Sequence, residues 1–259
     1  MSLPKVARVG ILALALAALA AATANGDGAL VEVNGLVLRA DGGFQPQTLP
    51  RRHFAPIDFQ GHVDIAAKGG GMPSPLQQAL IEFDRDGRLS FAGLPTCAAE
   101  AIANASTEEA RRACRGAIVG TGHIAALVAL PGGIVKASSA LTIFNGPHLK
   151  GDPTAILHAQ FTVPATQTYA IVVPIERRAG AFRYRARIDL PPLAGGLGAL
   201  THIDAKIDRR YRVDGKPRSY ISARCSDNIL QTHGTFSFED GTVISGQVEK
   251  FCRSKAGSK

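Results

Sequence analysis

Two short patterns in the 259-residue chain place an imidazole two residues from a carboxylate: His62-Val63-Asp64 and His202-Ile203-Asp204. Residues two apart on a strand share a face. Each pair could therefore serve as a base with its orienting acid, the chemistry of a secreted hydrolase, or as two metal ligands. In both patterns the intervening residue is apolar, which is also how the wet side of an amphipathic strand reads. That plainer reading is preferred, and no catalytic role is assigned to His62, Asp64, His202 or Asp204 on spacing alone. Gly-x-Ser-x-Gly, His-Glu-x-x-His, a Walker loop and the dinucleotide glycine fingerprint are all absent from the chain. Asp84-Arg85-Asp86-Gly87 opens like a calcium loop. It lacks the third oxygen position and the distal Glu, and so reads as a hairpin turn. Neither a metal nor a cofactor is expected.

The arginines offer a different chemistry. Arg183, Arg185 and Arg187 alternate with apolar residues, and Arg177 and Arg178 extend the series from the preceding segment. Guanidinium groups on one face can hold phosphates or carboxylates through paired hydrogen bonds. Arg209, Arg210, Arg212, Lys216 and Arg218 form a second basic cluster around Asp214-Gly215. Charges on an outward sheet face also prevent edge-to-edge association and need no ligand for that. Stacking residues are scarce and there is no Trp, so nucleic acid is not an expected partner.

The elements that must position these side chains are strands. Phe182 to Leu190 alternates strictly, with Phe182, Tyr184, Ala186, Ile188 and Leu190 on one face and Arg183, Arg185, Arg187 and Asp189 on the other. Tyr169, Ile171, Val173 and Ile175 form the inward face of the run before it, and Arg178-Ala179-Gly180 turns between the two. Pro174 inside that run requires an edge or a bulge, because proline donates no ladder hydrogen bond. In Thr201–Asp208 the inward residues are Ile203, Ala205 and Ile207. Asn34-Gly35, Asp86-Gly87, Asn145-Gly146, Asp214-Gly215 and Asp240-Gly241 read as turns between apolar runs. Only Ala98 to Ala113, rich in Ala and Glu, reads as helix, and Ser106 followed by Glu109 could restart it through a capping box. The expected fold is mainly β: an antiparallel β-sandwich or paired sheets with one disulfide-looped α-helix near 98–113.

The chain begins with Lys5 and Arg8, an apolar stretch from Val9 to Ala22, and small residues at Ala22-Thr23-Ala24. This is the layout of a signal peptide over residues 1–24, cleaved before Asn25. The apolar stretch is shorter than the roughly 20 residues a spanning helix needs, so no transmembrane anchor is expected after processing. Removal of the leader lowers the formal net charge from +8 to +6, an excess that outside the cell favours anionic polymer or lipid. Residues 25–253 read as a single β-rich domain, with room for two lobes dividing near 115, followed by a flexible tail at 254–259. Cys97, Cys114, Cys225 and Cys252 are even in number in an exported chain and are expected as disulfides. Three pairings are open, of which Cys97 with Cys114 and Cys225 with Cys252 is the most local. No Cys-x-x-Cys spacing supports zinc.

Ile81 to Cys97 with its Gly93-Leu94-Pro95-Thr96-Cys97 segment, Tyr220 to Cys225, and Gly234 to Thr242 closing at Cys252 resemble uncharacterised secreted, signal-peptide-bearing β-rich proteins of actinobacteria. The resemblance implies a leader and a cysteine-bounded closing hairpin, and carries no activity and no site residue. The function expected from the residues is therefore that of a secreted or extracytoplasmic binding or structural protein of the cell envelope, non-catalytic, touching anionic polymers or lipids through Arg177, Arg178, Arg183, Arg185 and Arg187. The alternatives are a secreted hydrolase using the His/Asp pairs and a lipid carrier with an internal apolar cavity. An alternating pattern cannot by itself distinguish a filled interior from a hollow one.

Overall fold

The computed structural model describes residues 28–255 and, by their backbone alone, residues 21–25. In chain order the strands are β1 (Ala21–Asn25), β2 (Ala29–Val33), β3 (Leu36–Gln45), β4 (Thr48–Pro50), β5 (Ala55–Pro56), β6 (Asp58–Ala67), β7 (Leu76–Asp84) and β8 (Gly87–Leu89). Two helices follow, α1 (Ala99–Ile102) and α2 (Thr107–Ala113). Then come β9 (Ile118–Leu130), β10 (Gly133–Leu149), β11 (Asp152–Phe161), β12 (Gln167–Arg177), β13 (Phe182–Asp189) and β14 (Gly198–Ile207). The last are β15 (Arg210–Val213), β16 (Lys216–Ser219), β17 (Ile221–Ala223), β18 (Ile229–Phe238), β19 (Val243–Phe251) and β20 (Arg253–Lys255).

Thirteen strands join in the order β1-β19-β18-β7-β13-β12-β11-β10-β9-β14-β6-β3-β2. Every neighbouring pair is antiparallel except β1 with β19. The β12–β13 join is short: only Ile175, Glu176 and Arg177 pair across it. Pro174 lies just beyond it and pairs only with Thr154 of β11. A missing N–H is harmless there, which is the local edge its position in the run demands. On the far side the sheet returns on itself, and Lys250 Nζ of β19 reaches Asp41 Oδ1 of β3 at 2.8 Å. The mainly β, antiparallel class is as the alternation indicates. Its two layers are halves of one nearly closed sheet, a flattened barrel.

Alternation puts the apolar face of every wall strand inside. Tyr184, Ala186, Leu141, Ile143, Val173 and Ile175 form one inner cluster, and Phe236, Phe238, Ile244, Leu38 and Ile65 another. Both clusters draw on both layers, and each large side chain so buried contributes about 1.5–3 kcal/mol. A register shift between Phe182 and Tyr184 interrupts the pattern. Phe182 consequently lies against His233, ring centroids 6.0 Å apart, instead of following Tyr184 inward.

The Asn34-Gly35 and Asp214-Gly215 turns hold both residues at positive φ, as tight hairpins require. Asn145-Gly146 is not a turn. It lies within β10, where the Asn145 amide donates to the Pro95 carbonyl at 3.0 Å. The helical segment is two helices, not one over 98–113. The second starts at Ser106, whose side chain accepts from the Glu109 amide while the Glu109 carboxylate accepts from the Ser106 amide. Ile102 and Ala110 pack on Phe144 and Ile156, so this segment covers the outside of β10 and β11.

Disulfides join Cys97 to Cys114 at the base of the helical segment and Cys225 to Cys252 between the chain after β17 and the end of β19. The small sheet β5-β17-β8 closes one end of the barrel, with Ile57, Ile221 and Ala223 in a cluster that includes Phe44 and Leu49. Strands from both sides of residue 115 share one sheet: β6 pairs with β14, and β7 with β13 and β18. Ser254 and Lys255, the first residues of the expected tail, lie in β20, which runs parallel to β4. Residues 256–259, and the charged and apolar parts of the leader in residues 1–20, lie outside the described residues.

Candidate functional site

The interior is not completely filled. A cavity of about 320 Å³ lies between the two layers and is lined by apolar side chains, among them Leu38, Phe59, Phe83, Leu157, Ile188 and Ile203. The small residues Ala155, Ala186 and Ala205 leave the space that larger ones would occupy. Tyr220 lines the cavity as well. It is 2 % exposed, and its hydroxyl has no hydrogen-bond partner among the described residues. Burial pushes that hydroxyl's pKa well up, so it stays neutral and able to donate. Two polar residues of its lining, Asp41 and Lys250, pair across the seam where β19 meets β3. Burial opposes the charge on Asp41, but the hydrogen bonds from Lys250 and the Gly42 amide outweigh it and hold the carboxyl below its usual range.

Both His/Asp pairs stand on the outward face of the wall, on adjacent strands. The register sets Asp204 of β14 between His62 of β6 and His123 of β9, and His202 beside Asp64. His202 Nδ1 donates to Asp64 Oδ1 at 2.6 Å, and its Nε2 lies 3.3 Å from Asp204 Oδ2. The hydrogen bond to Asp64 raises the pKa of His202 against a smaller opposing effect of burial, and Asp204 adds to the rise. Sequence brings the two pairs no closer than 138 residues, and His123 carries no local signal at all. Only the strand register unites them. The interior cavity is not lined by His202, Asp64 or Asp204.

The five arginines separate into two groups. Arg185 is tied to Glu82 at 2.8 Å and Arg187 to Asp189 at 3.2 Å, both on the wall. Arg177, Arg178 and Arg183 instead line a cleft of about 360 Å³ together with Arg88, Leu89 and Tyr184. Beside it, Arg88, Arg183 and Arg224 surround the Phe54 ring, each guanidinium 5.2–5.6 Å from its centroid. Cation–π attraction offsets part of their mutual repulsion. Arg88 and Arg224 belong to segments distant in sequence and show no pattern of their own. In the second basic cluster Arg210 is bound to Asp58 at 2.6 Å and Arg212 donates to the Gly215 carbonyl, both structural uses.

Asp84 and Asp86 are likewise structural. Asp84 accepts from the amides of Asp86 and Gln231, while Asp86, wholly buried, accepts from Arg224 Nε at 2.7 Å and from the Ser226 amide. These bonds fix the turn and fasten it to the chain after β17.

Among the described residues no helix is long and apolar enough to cross a membrane. Both disulfides fit an oxidising, extracytoplasmic compartment. No protein-family model matches the chain, and comparison with curated proteins and with solved structures finds none similar to it.

Proposed function

We propose that this protein is an exported, non-catalytic carrier that holds a small, largely apolar molecule between its two layers. The observation that carries the reading is the cavity of about 320 Å³ with its apolar wall, which includes Tyr220, whose buried hydroxyl has no hydrogen-bond partner among the described residues. Its volume is near the lower end of small-ligand sites, roughly 300–1,000 Å³. That suits one alkyl chain or a compact ring system bearing one polar group, not a two-chain lipid. Export is supported by the leader sequence, with cleavage before Asn25, and by the two disulfides.

The test is titration with an environment-sensitive fluorescent fatty acid, alongside native mass spectrometry of the secreted protein. The expected result is saturable 1:1 binding that Ala205→Phe abolishes while the melting temperature holds or rises, since the new ring fills empty space. Absence of probe binding in the parent, or binding that Ala205→Phe leaves intact, refutes the reading.

A second reading concerns contact with anions. It is favoured by the cleft of Arg88, Arg177, Arg178 and Arg183, whose lining contains no acidic residue. In it the plugged end of the barrel rests on anionic polymer or lipid, and Arg185 and Arg187, already paired, contribute little. Retention on anionic vesicles should fall with salt and should be lost in an Arg177→Ala/Arg178→Ala/Arg183→Ala variant but kept in Arg185→Ala/Arg187→Ala. The opposite order would return the contact to the strand ladder.

A further inference from the structure

Independently of the carrier reading, we infer that His123, His202 and Asp204 form a binding site for a divalent transition-metal ion, Zn²⁺ by ligand chemistry, on the outer wall of the barrel. Each residue offers one ligand atom, and these three atoms all lie within 4.8 Å of one another. Ligand atoms about 2.0–2.1 Å from a tetrahedral ion stand about 3.3 Å apart, and His202 Nε2 already lies 3.3 Å from Asp204 Oδ2.

What distinguishes this group from a chance surface cluster is Asp64. Its carboxylate can only accept, so the 2.6 Å contact fixes the proton of His202 on Nδ1. In the metal-binding tautomer Nε2 then presents its lone pair toward Asp204 and His123. A carboxylate behind a ligating histidine orients the ring and raises its basicity, and is the usual partner of zinc-bound imidazole. His123 and Asp204 are direct cross-strand partners, and His202 is two residues from Asp204 on the same face. The relative positions of the three ligands are therefore set by β9 and β14, not by a loop. Their outward neighbours Ala125 and Ala140 are small and leave room for an ion.

Two imidazoles with one carboxylate suit zinc and its neighbours and not Mg²⁺ or Ca²⁺, which prefer oxygen. Three protein ligands leave a coordination position for water or for a donor from another molecule.

The test uses untagged protein, freed of metal by a chelator and titrated with Zn²⁺ by calorimetry, with excess Mg²⁺ present. One Zn²⁺ per chain is expected. His202→Ala and His123→Ala should each weaken it at least about tenfold, and Asp64→Asn by about 10–100-fold, the range for partners behind a ligand. His62→Ala should change affinity less than about twofold, because His62 flanks Asp204 on the side away from His123. Circular dichroism confirms that each variant is folded. If one is not, imidazole NMR of the parent supplies the answer, with the ring signals of His123 and His202 moving on Zn²⁺ addition and those of His53 and His148 staying. The inference is overturned by absence of stoichiometric binding, by parent-like affinity in His123→Ala or His202→Ala, or by equal movement of all the rings.

Discussion

At the scale of single residues, the Asp84–Asp86 turn shows two carboxylates two positions apart with opposite electrostatics. Burial dominates at Asp84 and raises its pKa against the hydrogen bonds it accepts from the Asp86 and Gln231 amides. Burial also opposes the charge on Asp86, but bonds from Ser226 and Arg224 outweigh it and the pKa is lowered. A folded-state pKa below the unfolded one contributes stability that is complete above the ordinary Asp value of about 4 and is lost as pH falls through the lower folded value. Asp84 works in the other sense: its cost is present near neutrality and is relieved on acidification. Asp86→Asn should therefore destabilise the protein at pH 7 by about 1–3 kcal/mol, the range for a buried hydrogen-bonded group. It should also flatten the decline in stability below pH 4, both read from urea unfolding across pH. An Asp86→Asn decline as steep as the parent's would place the acid sensitivity elsewhere. Gly122 is a second residue-scale constraint. A β-carbon there would collide with the Asp204 carbonyl, so Gly122→Ala should cost about 1–3 kcal/mol in a thermal melt by forcing β9 from β14.

At the scale of elements, much was legible from sequence because the physics is local. The period of two assigned inward Ile203, Ala205 and Ile207 correctly, and Ser106 with Glu109 located the start of α2 through a reciprocal bond spanning only three residues. Asn145-Gly146 misled because its turn-like composition serves a different need. Gly146 admits Thr154 and Ile156 of the neighbouring strand, and Asn145 holds the segment before Cys97. The helical segment and the end plug are each fastened by one disulfide, and the two should respond differently. The Cys97→Ser/Cys114→Ser variant releases a cover on the outside of β10 and β11. A loss of about 2–4 kcal/mol is expected, with faster hydrogen exchange confined to residues 99–117 and the apolar cavity still able to bind its probe. Cys225→Ser/Cys252→Ser frees a segment whose neighbours Ile221 and Ala223 line the cavity, and should weaken probe binding as well as stability. Equal effects on binding would mean that the plug does not define the chamber.

At the scale of the whole molecule, topology and register were not legible, and they decide every candidate site. Nothing in the order of residues reveals that β14 lies between β6 and β9, which gathers His123 to His202 and Asp204, or that β8 and β17 bring Arg88 and Arg224 to Phe54. The same closure determines how a ligand would reach the interior. Ladders cover the wall except at the short three-pair join of β12 with β13 and at the two ends of the strand order, where β19 faces β3 and Asp41 meets Lys250. The Lys250–Asp41 pair bridges this gap with side chains only 24 % and 32 % exposed. Opening β19 from β3 must break this pair, and removing Lys250 alone would leave the part-buried Asp41 carboxylate without its counter-charge. Lys250→Met should consequently lower the melting temperature and also release a bound fluorescent fatty acid several-fold faster in stopped-flow displacement, compared at temperatures equally far below each protein's melting point. Raising salt should speed release from the parent and have less effect on the variant, because the attraction being screened is already gone. Equal release rates in parent and variant would instead put the route at the end closed by β5, β17 and β8, where the Cys225→Ser/Cys252→Ser variant would then be the faster one.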